Sequence, residues 1–336
     1  MPFLSRVIPI SPADASQTGN ARRQALSLAV EMDFDELRQG QLGIVVTEAA
    51  RNIATHAGEG DIVLTGWTRG STAGIDMLAL DKGPGIKNVS AALEDGFSTA
   101  GTPGNGLGAM SRLSSTFQLY TAAGMGTAIF SRVLKTGQEM QSDSHPYRMS
   151  AISSPIAGES VCGDAWSVAF APGRSVYIVA DGLGHGPLAA QAAGEAVRTF
   201  QASAHHSPER ILSDVHAALA KTRGAAVSVA EILHEKQVLN YAGAGNIVAA
   251  ICFGSKSRSL VSMNGTVGHA VGRIQQFAYP WELDSVLVMH SDGLGTRWNL
   301  DQYPGLTARH PALLAGVLFR DFCRKRDDAT ILVSRI

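Results

Sequence analysis

Residues 41–58 read QLGIVVTEAARNIATHAG. Leu42, Val45, Ala49 and Ile53 recur at helical spacing and make an apolar stripe, while Glu48, Asn52 and His56 recur every four residues on a second stripe. The segment reads as an amphipathic helix that carries an acid, an amide and an imidazole beside its buried face. An asparagine next to a glutamate can hold Mg²⁺ on a triphosphate and leave the carboxylate to act as a base. A solvated helix face would show the same spacing, so the surrounding motifs decide between the two readings. His56 closes the helix, where a hydrogen-bond donor suits the dipole.

Working outward, Asp81-Lys82-Gly83-Pro84-Gly85 follows the apolar run IDMLAL. An aspartate at a strand end can accept a hydrogen bond from an exocyclic amine, and Gly83 and Gly85 let the backbone approach a base closely. Gly104-Asn105-Gly106-Leu107-Gly108 opens a further helix, where bare N–H groups and the helix N-terminus form a phosphate cradle. The order of these three motifs resembles the GHKL ATPase fold, with Thr127 of GMGTAIF matching the threonine that supports the adenine-binding aspartate. EAARNIATHAGEGDIVL, DKGPGI, EDGFSTAG and GNGLGAMSRL further resemble the RsbT-type switch serine/threonine kinases over about residues 5–134. The resemblance implies ATP with Mg²⁺ as cofactor, Glu48 as general base, Asn52 as the Mg²⁺ ligand and Asp81 as the adenine contact. Gly83, Gly85, Gly104, Gly106, Gly108 and Thr127 would shape the nucleotide site. No phospho-accepting histidine box is present, which argues against a histidine autokinase.

A polar stretch, KTGQEMQSDSHPYRMS, occupies 135–150 and reads as a linker between two domains, 1–134 and 151–336. Helices come early and strands late in the first segment, an α+β pattern. The second reads as antiparallel strands with helices over about 187–204 and 208–221. Its aspartates sit at strand ends: Asp164 in CGDAW, Asp181 in VADGLGHG, Asp292 in MHSDGLG, and the pair Asp327-Asp328 before TILVSRI. Asp-Gly is a common hairpin turn. Two apolar strands ending in the same acidic turn, with a third acidic doublet opening the last strand, point instead to oxygen ligands for hard divalent cations.

Gly163-Asp164, Asp181 to Gly186, AGAGN at Ala242 to Asn246, Ser291 to Gly293 and Asp327 to Thr330 together resemble the SpoIIE/RsbX-like branch of the PPM-type phosphatases. That resemblance implies an αββα sandwich following an N-terminal GHKL (Bergerat-type) α/β sandwich, and two Mn²⁺ or Mg²⁺ ions. Asp181 would bridge both ions and the Gly182 carbonyl would add a ligand. Asp292 and Asp327 would complete one ion, with Asp328 as the alternative of the doublet, and Asp164 would orient metal-bound water or bind directly. No arginine in the sequence is evidently placed to grip a phosphate, and His185 serves either to shape its turn or to stabilise the loop.

The net charge of −1 offers no electrostatic footprint for nucleic acid or an anionic membrane. Cys162, Cys252 and Cys323 fit no disulfide framework or zinc spacing and suit a reducing, cytoplasmic compartment. No signal peptide or spanning apolar run is evident. The expectation is a kinase–phosphatase acting on Ser or Thr of a STAS-domain protein in bacterial partner switching, with an anti-sigma factor or a downstream phosphatase or cyclase as further partner. The alternative is a PPM phosphatase whose GHKL domain is a non-catalytic ATP sensor or docking module.

Overall fold

Leu42, Val45, Val46, Ala49 and Ala50 are all buried on one side of a single helix, and around that stripe the first half of the chain is built. The computed structural model describes residues 5–14, 16–93, 106–136, 148–254 and 256–335. Strand β1 (Ser5–Ile10) leads into helices α1 (Ser16–Glu31) and α2 (Glu36–Asn52). Asp35 caps α2 by accepting the Arg38 N–H at 2.7 Å. The helix ends in a π-turn over Ile53–Ala57, stopped by Gly58 at φ +84°. Strands β2 (Gly60–Arg69) and β3 (Thr72–Asp81) follow as a hairpin, then a short helix α3 (Val89–Leu93), α4 (Gly106–Leu113), β4 (Thr116–Thr121) and β5 (Thr127–Leu134). The antiparallel sheet runs β1-β2-β3-β5-β4. Its alternate residues Ile62, Leu64, Ile75, Met77, Ile129 and Val133 pack with the apolar stripes of α1 and α2 in one core.

In the second half, β6 (Arg148–Ser154), β7 (Asp164–Ala171) and β8 (Arg174–Gly182) precede α5 (Pro187–Ser203) and α6 (Pro208–Ala218). Strands β9 (Ala225–Leu233), β10 (Val238–Ala244), β11 (Val248–Phe253), β12 (Lys256–Ser259), β13 (Phe277–Pro280) and β14 (Val286–His290) come next, and α7 (Pro311–Phe322) and β15 (Ala329–Arg335) close the chain. They form two five-stranded sheets, β13-β10-β9-β8-β7 and β12-β11-β14-β15-β6. The apolar faces of α5 and α6, with Ala193, Val197, Phe200, Ile211 and Val215, pack on Val176, Ile178, Val227 and Val229 of the first sheet. Buried Tyr177 of β8 shares a 2.7 Å hydrogen bond with Ser334 of β15, joining the two sheets.

The chain divides into two compact units. The first takes the described residues through Thr136 together with Ala312–Arg320, and the second takes Arg148 to Pro311 and Asp321 onward. The first unit therefore includes most of α7, whose Gly316 lies against Leu78 and Leu80 of β3. Strand β6 begins at Arg148, so the last three residues of the stretch read as a linker are strand, fixed by pairing with β15. Among the described residues, no helix is long and apolar enough to cross a membrane.

Candidate active sites

In the first unit the polar edge of α2 forms one wall of a cavity of about 700 Å³, lined among others by Glu48, Asn52, Asp81, Gly85, Gly106 and Thr127. A Cβ on Gly106 would lie 3.0 Å from Glu48 Oε2 and 3.6 Å from Asn52 Oδ1. The first turn of α4 therefore faces the acid and the amide with bare backbone, a space any side chain would fill. Arg51 Nη1 stands 3.5 Å from Glu48 Oε1.

Across the cavity, Asp81 Oδ1 accepts the backbone N–H of Gly83 at 2.8 Å and of Thr127 at 3.1 Å. Both bonds fall on one oxygen, so Oδ2 keeps its capacity to accept an amine. Burial raises the Asp81 carboxyl above the ordinary aspartate value, and the two backbone donors, Arg320 and His56 oppose that shift. Arg320 Nη1 also donates to the Asp81 carbonyl at 2.7 Å. Gly85 and Gly126 are required glycines. Both have positive φ, and a Cβ would strike the Ala122 and Asp81 carbonyls respectively.

Thr121, absent from the sequence reading, ties these loops together. Its hydroxyl accepts the Ile86 N–H at 2.9 Å and donates to the Gly126 carbonyl at 3.1 Å. Gly83 backs onto Ala57 outside the lining, and Gly108 is buried within α4. Gly104 lies outside the described residues. His56 is exposed and lines the cavity rather than only closing a helix. The bare Gly106 cradle, the open Asp81 oxygen and the Glu48–Asn52 edge fit a nucleotide triphosphate.

In the second unit the carboxylates meet at the ends of four strands. Asp164 opens β7 directly opposite Asp181 on β8. Asp292 follows β14, and Asp327-Asp328 precede its neighbour β15. The two pairs lie on different sheets, joined by Ser291, whose hydroxyl donates to Asp164 Oδ2 at 2.7 Å and accepts the Thr330 N–H at 2.9 Å. Burial first, then repulsion from Asp164, Asp292, Asp327 and Asp328, drives the Asp181 carboxyl far up from its ordinary value. Asp164 is also raised, by burial and by Asp328 and Asp327, against the Ser291 bond. Asp292 is raised by burial and by Asp327.

The doublet is asymmetric. Asp328 is buried, its Oδ1 accepting the Ile156 N–H at 2.9 Å, whereas Asp327 is exposed. Asp164 Oδ1 and Asp328 Oδ2 are buried with no hydrogen-bond partner. Buried, mutually repelling carboxylates with orphaned oxygens are a donor set that wants a hard cation. Among the described residues, no three His, Cys, Asp or Glu side chains already close on one point. Gly182 is fixed at the end of β8, its N–H donating to the Gly163 carbonyl at 3.1 Å.

A histidine kinase-like ATPase domain profile matches residues 11–130, and a stage II sporulation protein E (SpoIIE) profile matches 171–336. The serine/threonine-protein kinase RsbT of Bacillus subtilis (strain 168) is 38% identical over 109 residues, which are 32% of this chain and 82% of that protein. The chain belongs to the RsbT kinase family and carries a SpoIIE-type PPM phosphatase domain. The phosphoserine phosphatase RsbX of the same organism is 28% identical over 140 residues, covering 41% of this chain and 69% of RsbX. A solved structure described under the bacterial stressosome, as a modular system adapted to control secondary messenger signalling, superposes with a TM-score of 0.53. It shares 24% identity and covers 57% of this chain and 100% of that one, a likeness of fold.

The RsbT-like and SpoIIE-type modules thus join a kinase-like ATPase fold and a serine/threonine phosphatase fold of partner-switching families in one polypeptide. ATP is the ligand of the first fold. Asn246, quoted above only as the end of AGAGN, turns out to hold Asp292, its Nδ2 donating to Oδ2 at 2.7 Å. Its signal was in the motif, but its partner is 46 residues away. His185 is exposed, and its Nδ1 pairs with Glu159 at 2.9 Å, which anchors the turn to the β6–β7 loop. Burial, with Asp164 adding to it, pushes the Cys162 thiol well up.

Proposed function

We propose that this chain is a bifunctional cytoplasmic switch: an ATP-dependent Ser/Thr protein kinase and a Mg²⁺- or Mn²⁺-dependent phosphoserine/phosphothreonine phosphatase acting on a STAS-domain partner. The carrying observation is that one chain holds both a cavity with Glu48 and Asn52 facing Gly106 and a cluster of mutually repelling strand-end carboxylates. The modules are taken as 1–134 and 151–336, with an anti-sigma factor or a downstream phosphatase or cyclase as the further partner. Three free cysteines suit a reducing compartment.

In the kinase reading Asp81 Oδ2 would accept the adenine amine, Asn52 would hold Mg²⁺, and Glu48 would take the proton of the acceptor hydroxyl. Arg51, paired with Glu48, orients it. In the phosphatase reading Asp181 and the Gly182 carbonyl, with Asp292 and Asp327, would hold the ions, which supply an activated water. Asn246 aims Asp292, Ser291 aims Asp164, and Asp328, already bonded to Ile156, stays behind Asp327.

The test is to incubate the purified chain with a STAS-domain protein encoded beside it. Phosphorylation is followed by mass spectrometry, first with Mg-ATP and then, after nucleotide removal, with Mn²⁺. Addition followed by removal of one phosphate on one Ser or Thr is the expected result. No transfer in the first step together with an ATP-dependent hydrolysis rate would replace the kinase by a sensor. The sensor reading has one observation in its favour: Arg320, bonded to the Asp81 carbonyl, lies seven residues before Asp327 in the chain.

A further inference from the structure

The DGLGHG turn has a cation above it that the sequence did not reveal. Arg223 sits in the Thr222–Gly224 turn after α6, roughly forty residues from Asp181 in sequence. Its Nη1 lies 3.2 Å from where a Cβ on Gly184 would stand. The turn that bears it is rigid. Thr222 Oγ1 donates to the Leu219 carbonyl at 2.8 Å and accepts the Gly224 N–H at 3.0 Å, and Gly224 has φ +77°. It is also bonded to the acidic turn, because the Leu183 N–H donates to the Gly224 carbonyl at 3.0 Å. Gly184, at φ +84° and without a side chain, leaves the guanidinium lying over the backbone three residues past Asp181.

Arg223 is exposed and pairs with no carboxylate among the described residues. Other cations stand near the acidic ends, with Lys325 and Arg326 exposed just before Asp327, but Arg223 is the one placed over the DGLGHG backbone. His185 pairs with Glu159, and Arg324 bonds its N–H to the Gly293 carbonyl and acts on Asp292. We infer that Arg223 grips the phosphate of the phosphoserine or phosphothreonine substrate at the mouth of the SpoIIE-type site. This assignment rests on the phosphatase reading.

The physical need is one of charge. Five carboxylates, Asp164, Asp181, Asp292, Asp327 and Asp328, face one another across the site. Two divalent ions would leave that set net negative, so an arriving phosphate dianion meets residual repulsion unless a further cation receives it. A guanidinium forks two parallel N–H groups onto phosphate oxygens and stays charged at every relevant pH. The turn fixes the backbone that carries it before the substrate arrives, so only the side chain's own rotamers are ordered on binding.

The experiment uses the full chain with Mn²⁺, as wild type, Arg223→Ala, Arg223→Lys and Arg324→Ala. Calorimetry measures Mn²⁺ and inorganic phosphate binding, and steady-state kinetics on a phosphoserine peptide separates kcat from KM. Arg223→Ala should weaken inorganic phosphate and raise KM by about 10- to 100-fold. Mn²⁺ affinity should stay unchanged, and Arg223→Lys should recover part of the loss. Phosphate affinity within about two-fold of wild type would overturn the assignment, as would loss carried by Arg324→Ala instead. A parallel loss of Mn²⁺ affinity in Arg223→Ala would reduce Arg223 to a support of the turn and also overturn it. Absence of Mn²⁺-dependent hydrolysis in wild type sinks the phosphatase reading, while phosphate calorimetry still judges Arg223.

Discussion

The nucleotide cavity and the carboxylate cluster solve the problem of a buried acid in opposite ways. At Asp81 the protein itself supplies compensation: two backbone N–H groups converge on one oxygen, and Arg320 and His56 add favourable charge. At the cluster it supplies repulsion, with Asp181 facing four other aspartates and buried oxygens of Asp164 and Asp328 left without partners. The first site is organised without its ligand. The second holds repulsion that a divalent cation would relieve, which would link stability to metal binding there.

The sharpest way to break this contrast is Asp181→Asn. Hydrolysis should fall to background if Asp181 is, as proposed, the shared ligand of both ions. The metal-free variant should nevertheless melt higher than metal-free wild type, since a buried, repelled carboxylate has gone. Residual Mn²⁺-dependent turnover near the wild-type rate, or a lower melting temperature in EDTA, would contradict the cluster as described. ATP binding should be unchanged.

Glu48→Gln addresses the other site. A general base contributes about 10²–10⁴-fold in rate and little in ground-state binding. Phosphotransfer to the STAS partner should fall by that order with ATP affinity nearly intact. If the rate survives, Glu48 is not the base.

Asp81→Asn is expected to weaken ATP by about 10- to 150-fold, the value of a hydrogen bond to a charged group. Equal affinity by calorimetry would remove the adenine assignment. The fold should tolerate the change, because the amide oxygen can still accept from Gly83 and Thr127.

The smallest effect is the pH dependence of stability. Asp164, Asp181 and Asp292 have native carboxyls raised above the unfolded value of about 3.9. The native state therefore binds protons more tightly, and that contribution is fully present below the unfolded value and lost as pH rises through the raised native values. In EDTA the melting temperature should decline from mildly acidic pH upward, and saturating Mn²⁺ should flatten the decline. A flat profile in EDTA would show that the carboxylates do not crowd one another.

Much of this was legible along the chain because it is local. The four-residue recurrence of Glu48 and Asn52, the apolar run of β3, and the Asp-Gly ends of the strands all depend on neighbours within one element. Strand β6 was not legible: RMSAISS has little alternation and takes its conformation from pairing with β15, where Ala329 is registered on Ser154. Nor was helix α7. PALLAGVLFRDF is apolar nearly all round and buried nearly all round, so it has no amphipathic period to read.

The sequence by itself determined which chemistries are present: an acid–amide helix edge, glycine loops, and aspartates at strand ends. Only tertiary structure decided which partners they meet. It set Ser291 on Asp164, Asn246 on Asp292 and Arg223 over Gly184, and it buried Asp328 while leaving Asp327 exposed. The reason is physical: backbone periodicity fixes the direction of a side chain within its element, whereas contacts between strand ends depend on how separate sheets and loops pack.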